Sequence, residues 1–190
     1  LGTRLLLDGS VASSGPPPDD RTAVVDAGGH HVPASCPLRA GGAAKSTYKW
    51  LGIAEEESFP ADVAAAIRQR GDVAYHDYGE GRHVIHAYGP DLRQMPEAWD
   101  DALGALAETY ANILAAFADS GLAVLRLLPM SGGIFAGSYQ PRMPELTAAA
   151  LRRGLERLPA EARSTVGARR VEMCIFVEAE LAAFEAAFAS

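Results

Sequence analysis

The run Leu122 to Leu128 is apolar and strand-like. It stops at Pro129, opens into Met130-Ser131-Gly132-Gly133-Ile134-Phe135-Ala136-Gly137-Ser138, and gives way to a helical pattern near Pro144. An apolar strand of this kind is buried on both faces, and a sheet of such strands needs helices above and below it. That requirement restricts the chain to an α/β architecture. The loop adds a chemical hint. Glycines between a buried strand and a helix let a ligand approach the backbone, and the free amides there are donors suited to phosphate oxygens.

The rest of the chain repeats the alternation. Leu5-Leu6-Leu7 reads as a short strand, and the stretch to Asp20, with Pro16-Pro17-Pro18, as a loop. Thr22 to Val25 is a second strand, ending in Asp26-Ala27-Gly28-Gly29. The patch Ala40-Gly41-Gly42-Ala43-Ala44 leads into a helix through Tyr48 and Trp50, and Pro60 opens another over Ala61 to Arg70. Val73 to Tyr75 and His83 to Ala87 are strands around the turn Asp77 to Gly81. Trp99, Leu103, Leu106, Tyr110, Ile113, Leu114 and Phe117 recur every three or four residues, which predicts a helix from Pro96 to about Ala118, stopped by Ser120-Gly121. A helix over Glu145 to Leu158, a strand over Val171 to Val177 and a helix over Ala179 to Phe188 complete the chain. No internal repeat and no second domain is visible.

Composition narrows the function classes. The 190 residues suffice for one domain with a sizeable core. A formal net charge of −7 argues against electrostatic binding of nucleic acid by the whole chain. The late arginines, Arg152, Arg153, Arg157, Arg163, Arg169 and Arg170, read as a solvated helix face. Two cysteines, Cys36 and Cys174, make no disulfide framework and suit a reducing, cytoplasmic setting. No apolar run is long enough for a membrane span. The chain opens on Leu1-Gly2-Thr3, as expected of a domain cut from a longer protein.

Four small-residue segments fall at strand ends: Asp8 to Ser10, Asp26 to Gly29, Ala40 to Ala44 and Ser131 to Gly137. Ligands of parallel sheets bind outside the carboxyl ends of the strands, so this clustering points to a nucleotide-like ligand. Competing chemistries fare less well. His30-His31 with Cys36 lacks zinc-site spacing and a fourth ligand, so no metal is expected. His86 falls inside a strand and reads as a hydrogen-bonded core histidine, Cys174 as core packing, and Glu55-Glu56-Glu57 as a solvated charge run. Ser131 has no nucleophile elbow and no evident His–Asp partners.

The order of these segments resembles macro domains, the ADP-ribose-binding three-layer α/β/α module with a mixed, mostly parallel sheet. The resemblance rests on Val84-Ile85-His86-Ala87-Tyr88-Gly89-Pro90, on Tyr110-Ala111-Asn112-Ile113-Leu114, on Ser131-Gly132-Gly133-Ile134-Phe135 after a strand ending in Pro, and on the final strand and helix, Val171 to Phe188. Gly42-Ala43-Ala44-Lys45-Ser46-Thr47-Tyr48-Lys49-Trp50 is similar to the glycine loop and helix of viral macro domains, particularly the alphavirus and hepatitis E-like branch. Nearly the whole chain, residues 1–190, is covered.

The resemblance implies a crevice for ADP-ribose, free or attached to protein. Gly41, Gly42 and Ala43 would form one diphosphate loop, and Ser131, Gly132, Gly133, Ile134 and Phe135 the other, with Phe135 against a ribose. Gly9-Ser10-Val11 stands where relatives contact adenine, with Asp8 or Ser10 serving, and Phe176 and Val177 would line the adenine pocket. Many macro domains carry Asn-Ala-Ala-Asn where this chain has Asp26-Ala27-Gly28-Gly29. Gly28 and Gly29 would still border the ligand, but Gly29 has no side chain to fix the distal ribose, and Asp26 offers only acceptors when ionised. Lost orienting contacts cost orders of magnitude in rate, which favours binding over removal of mono-ADP-ribose from acidic side chains. Asp26 or His30 would orient water if hydrolysis occurs, and a loop histidine could reach the ribose in place of the Asn. No cofactor is implied. The alternative is a degenerate macro fold acting as an RNA- or protein-binding module within a larger polyprotein.

Overall fold

The computed structural model describes residues 2–5, as backbone, and 17–190. Its centre is a six-stranded sheet of β1 (Gly2–Leu5), β2 (Thr22–Asp26), β3 (Val73–Asp77), β4 (His83–Ala87), β5 (Val124–Leu127) and β6 (Arg170–Ile175), in the order β1-β6-β5-β2-β4-β3. Every pairing is parallel except that of β3 with β4. That hairpin turns between Tyr78 and Arg82, where the Asp77 carboxylate accepts from the Gly79 N–H at 2.8 Å. The carboxyl ends of β2, β4, β5 and β6 therefore lie along one edge.

Alternation along the strands decides which helices cover which face. Ala23, Val25, Ile85, Leu125, Leu127, Met173 and Ile175 point to one side. There they meet α4 (Trp99–Asp119), α5 (Met143–Glu156), α6 (Ala160–Gly167) and Phe184 of α7 (Leu181–Ala189). Val84 and Ala74 point the other way, against α2 (Gly42–Leu51) and α3 (Ala61–Ala66). A short α1 (His31–Ala34) lies between β2 and α2. The expected three-layer α/β/α arrangement with a mixed, mostly parallel sheet is what forms. The strand expected to be apolar holds one charged group: Arg126 is buried, and its Nε donates to Glu172 Oε2 on β6 at 2.9 Å.

Differences from the sequence reading have local causes. The first strand takes in Gly2–Leu5; of the expected Leu5 to Leu7, residues 6 and 7 lie outside the described ones. α3 stops at Ala66 instead of Arg70, because the N–H groups of Arg68 and Gln69 bond to Asp72 Oδ2 at 2.8 and 2.9 Å, an alternative to the helical ladder. α6 was unforeseen because only Val166 in it is buried, too little to create a periodic stripe. Among the described residues no helix is long and apolar enough to cross a membrane.

The pairing of α4 with α5 forms the thickest part of the core, and Gly154 sets its spacing. A Cβ there would stand 3.0 Å from Ala107 O, Ala111 N and Tyr110 Cβ. Gly154→Leu is expected to cost about 2 kcal/mol or more, lowering Tm by roughly 4–8 °C. Thermal denaturation by circular dichroism measures it, and an unchanged Tm would refute the close contact.

Candidate functional site

A cleft of about 530 Å³ opens at the carboxyl edge of the sheet. Gly42 and Ala43 line it from the start of α2, Gly132 and Gly133 from the loop after β5, and Phe176 and Val177 from the end of β6. Parts of both expected loops thus line one cleft with the apolar pair, while Gly41, Ile134 and Phe135 are not among its lining. Nothing lies within 4 Å of where a Cβ would stand on Gly41, Gly42 or Gly133, so incoming atoms can reach these backbones. α2 has glycine at its N-cap and no side-chain cap. Its first amides are left for a ligand, and the helix dipole favours an anion there. Lys45 in α2 is engaged elsewhere: its Nζ is held by the carbonyls of Leu38 and Ala54 at 3.4 and 3.3 Å and lies 3.8 Å from Glu55.

The loop after β5 is fixed from below. Tyr110 Oη accepts the Met130 N–H at 2.9 Å, and the Ser131 hydroxyl donates to the Pro90 carbonyl at 2.5 Å. Burial pushes the Tyr110 phenol well above its ordinary range, so it stays protonated. Ser131 is buried with φ of +61°, a strut under the loop rather than part of the cleft lining. Ile134 is 81% exposed, while the Phe135 ring packs edge-on to His30 at 5.0 Å.

Asp26 organises the opposite side. It is 1% exposed. Its Oδ1 accepts the Gly28 N–H at 2.8 Å, and its Oδ2 accepts the Tyr48 hydroxyl and meets His86 Nδ1, both at 2.8 Å. His86 Nε2 lies 2.9 Å from the Tyr78 hydroxyl. A carboxylate only accepts, which assigns Nδ1–H as donor and leaves Nε2 to accept from Tyr78. Burial first, and then the Asp26 charge, push both the Tyr48 and Tyr78 phenols upward. His86 is the hydrogen-bonded core histidine expected. Asp26 spends its carboxylate inside the protein, not on the cleft.

Gly28 and Gly29 are also packing residues here. A Cβ on Gly28 would come within 2.5 Å of Ala44 Cβ, and one on Gly29 would overlap the backbone carbonyl of Ala87, to which the Gly29 N–H donates at 3.1 Å. Neither lines the cleft. An Asn at position 29 has no room, so the missing amide is a consequence of how closely β2 ends against β4. Asp8, Ser10 and Val11, expected near adenine, lie outside the described residues.

No protein-family model matches the chain, and no curated protein does either. Solved structures do match. An Oceanobacillus iheyensis macrodomain with ADP superposes with a TM-score of 0.64 at 15% identity, over 97% of this chain and 88% of that one. A Trypanosoma brucei macrodomain in complex with ADP gives 0.63 at 19%, over 98% and 68%. The chain has the macrodomain fold. An alphavirus structure described as P23pro-zbd gives a TM-score of 0.62 at 19% identity, and there this chain spans 24% of the other's length.

Within this macrodomain fold the two adjacent histidines have different roles. His31 Nδ1 is 2.9 Å from Ser35 Oγ, tying α1 to itself. His30 faces Phe135, and its half-buried ring has a pKa pushed below the ordinary value by burial and by His31. Cys36 is partly exposed and Cys174 is buried in the core. The cleft also takes in Ser46, Gln140, Met143 and Glu180, which the sequence reading missed. They stand at helix starts and in an irregular turn, where no periodic or motif signal marks them. Tyr48 and Tyr110 were legible as helix residues, but their hydroxyls' partners are distant in sequence.

Asp26→Ala leaves two buried side-chain donors and one backbone N–H unsatisfied, and is expected to cost about 3–5 kcal/mol. Asp26→Asn is expected to cost only about 1–2 kcal/mol, because His86 can change tautomer and accept from the new amide. Chemical denaturation of both variants tests the order. An Asp26→Ala protein as stable as wild type would show the network to be dispensable.

Proposed function

We propose that this cleft binds ADP-ribose, free or attached to a protein, and acts as a reader rather than a hydrolase. The observation that carries the reading is that Gly42 and Ala43 at the start of α2 and Gly132 and Gly133 after β5 line one cleft, with open space beside Gly42 and Gly133. Backbone amides grip a diphosphate without lysine or arginine, which reconciles an anionic ligand with a net charge of −7. Phe176 and Val177, 61% and 44% exposed, offer an apolar wall for the adenine. Structures of similar fold from Oceanobacillus iheyensis and Trypanosoma brucei are complexes with ADP and ADP-ribose, which supports the same ligand class here.

The preference for reading over erasing rests on the end of β2. Asp26 has both oxygens engaged by Gly28, Tyr48 and His86, and Gly29 carries no side chain to hold a sugar or a water. Two cysteines are too few for a disulfide framework, so we place the protein in a reducing compartment, the cytoplasm, where mono-ADP-ribosylated proteins are the partners. Should ADP-ribose fail to bind, the fold would serve instead as an RNA- or protein-binding module.

Isothermal titration with ADP-ribose is expected to give a saturable one-site curve. Gly133→Glu is expected to abolish it while leaving Tm unchanged, since the added side chain enters open space but occupies the phosphate seat. Incubation with a mono-ADP-ribosylated protein is expected to leave the modification in place. No heat from folded wild-type protein at millimolar ligand would overturn the binding reading, and release of ADP-ribose would overturn the reader assignment.

A further inference from the structure

The outward face of α5 is built of charges around a small residue. Met143, Leu146, Thr147, Ala150, Leu151 and Gly154 of this helix are buried. At about 100° of rotation per residue, Glu145, Ala149, Arg153 and Glu156 share the opposite side. The three charged side chains are exposed and Ala149 is half-buried. These four line one surface hollow, together with Trp99 and Leu103 of α4 and Ala187 of α7. Arg142, the residue just before the helix, continues the row and lays its guanidinium over the Trp99 ring at 4.1 Å.

The charges of this face are poorly used within the chain. Arg152 is drawn away to α7, where its Nη2 donates to the Ala187 carbonyl at 2.7 Å. Arg142 meets Glu145 at 3.3 Å, with both side chains more than half exposed. Among the described residues, the side chains of Arg153 and Glu156 have no partner, although they stand within one turn of each other.

The row is also symmetric about Ala149. Glu145 stands four residues before it and Arg153 four after; Arg142 stands seven before it and Glu156 seven after. Opposite charges at equal distances from a small residue are what two antiparallel copies of one helix need to satisfy each other. We propose that α5 is the contact between two copies of this chain. Ala149 packs on Ala149 of the partner subunit at a two-fold axis, and Glu145 pairs with Arg153 of the partner subunit. One turn further out, Arg142 pairs with Glu156 of the partner subunit. A two-fold contact is self-complementary, so each of these pairs forms twice. A parallel pairing would set the same charges like against like, and is thereby excluded. Alanine at the crossing lets the helix axes approach to about 8 Å, and Trp99, Leu103 and Ala187 add apolar surface beside it. α5 has 14 residues, about 21 Å of helix, so the interface is small and the dimer dissociates on dilution. Such a dimer forms whether or not the cleft binds ADP-ribose.

Sedimentation velocity of the wild-type protein is expected to show monomer at about 5 μM and mostly dimer at about 500 μM. Glu145→Arg and Arg153→Glu are each expected to weaken association at least about tenfold, because each opposes like charges twice across the axis. The double variant, with the charges exchanged, is expected to recover to within about threefold of wild type, since both pairs form again. Ala149→Glu brings two carboxylates together at the axis and is expected to be monomeric at every concentration. Circular dichroism checks that each variant keeps its helices. A wild-type protein that stays monomeric at the highest concentration would overturn the proposal and leave this face to solvent or to a partner of another kind. A dimer indifferent to the single charge changes would also overturn it, as would a double variant no stronger than either single one.

Discussion

The carboxylate of Asp26 is the interaction on which the site depends. It closes the end of β2, takes the Gly28 N–H, and receives donors from α2 through Tyr48 and from β4 through His86. Those bonds hold α2 against the sheet so closely that only glycine fits at position 28 beside Ala44. The start of α2, with its uncapped amides, is therefore placed at the edge of the cleft by a buried network rather than by its own loop. Single charges at such depth are tolerable only when fully hydrogen-bonded, and here every partner is supplied.

The opposite wall follows the same logic with neutral groups. Tyr110 and Ser131 anchor the loop after β5 to α4 and to the Pro90 carbonyl, so Gly132 and Gly133 present backbone at a fixed distance from α2. Among the described residues no Lys or Arg lines the cleft. Lys45 of α2 spends its ammonium on two carbonyls and Glu55. Under the proposed function, an acidic protein would thereby offer an anion oriented amides, whose partial charges do not alter the net charge.

Much of this was legible in the residues. The double-sided apolar strands fixed the layer order, and small residues at strand ends marked Gly42, Ala43, Gly132 and Gly133, which do line the cleft. Less was legible where the side chain's task is tertiary. Ser131, Gly28 and Gly29 are small for packing and anchoring, and a sequence cannot separate a glycine kept for ligand approach from one kept because a neighbouring backbone is in the way. The sequence places Gly29 beside the ligand, lacking only the side chain that relatives have there. The structure shows that the end of β4 occupies the space a larger side chain would need.

What the sequence by itself determined is the class of fold and the identity of the two backbone loops, because both follow from local periodicity and from residues without side chains to obstruct them. The tertiary structure decided what the polar residues do. Asp26, His86, Tyr48 and Tyr78 come from segments up to 60 residues apart, and their hydrogen bonds exist only once β2, β4 and α2 are packed. Among the described residues the same packing leaves His30 Nδ1 without a partner beside Phe135. A histidine in a loop carries no sign of that, since satisfaction of a polar atom is a property of its neighbours in space and not of its neighbours in the chain.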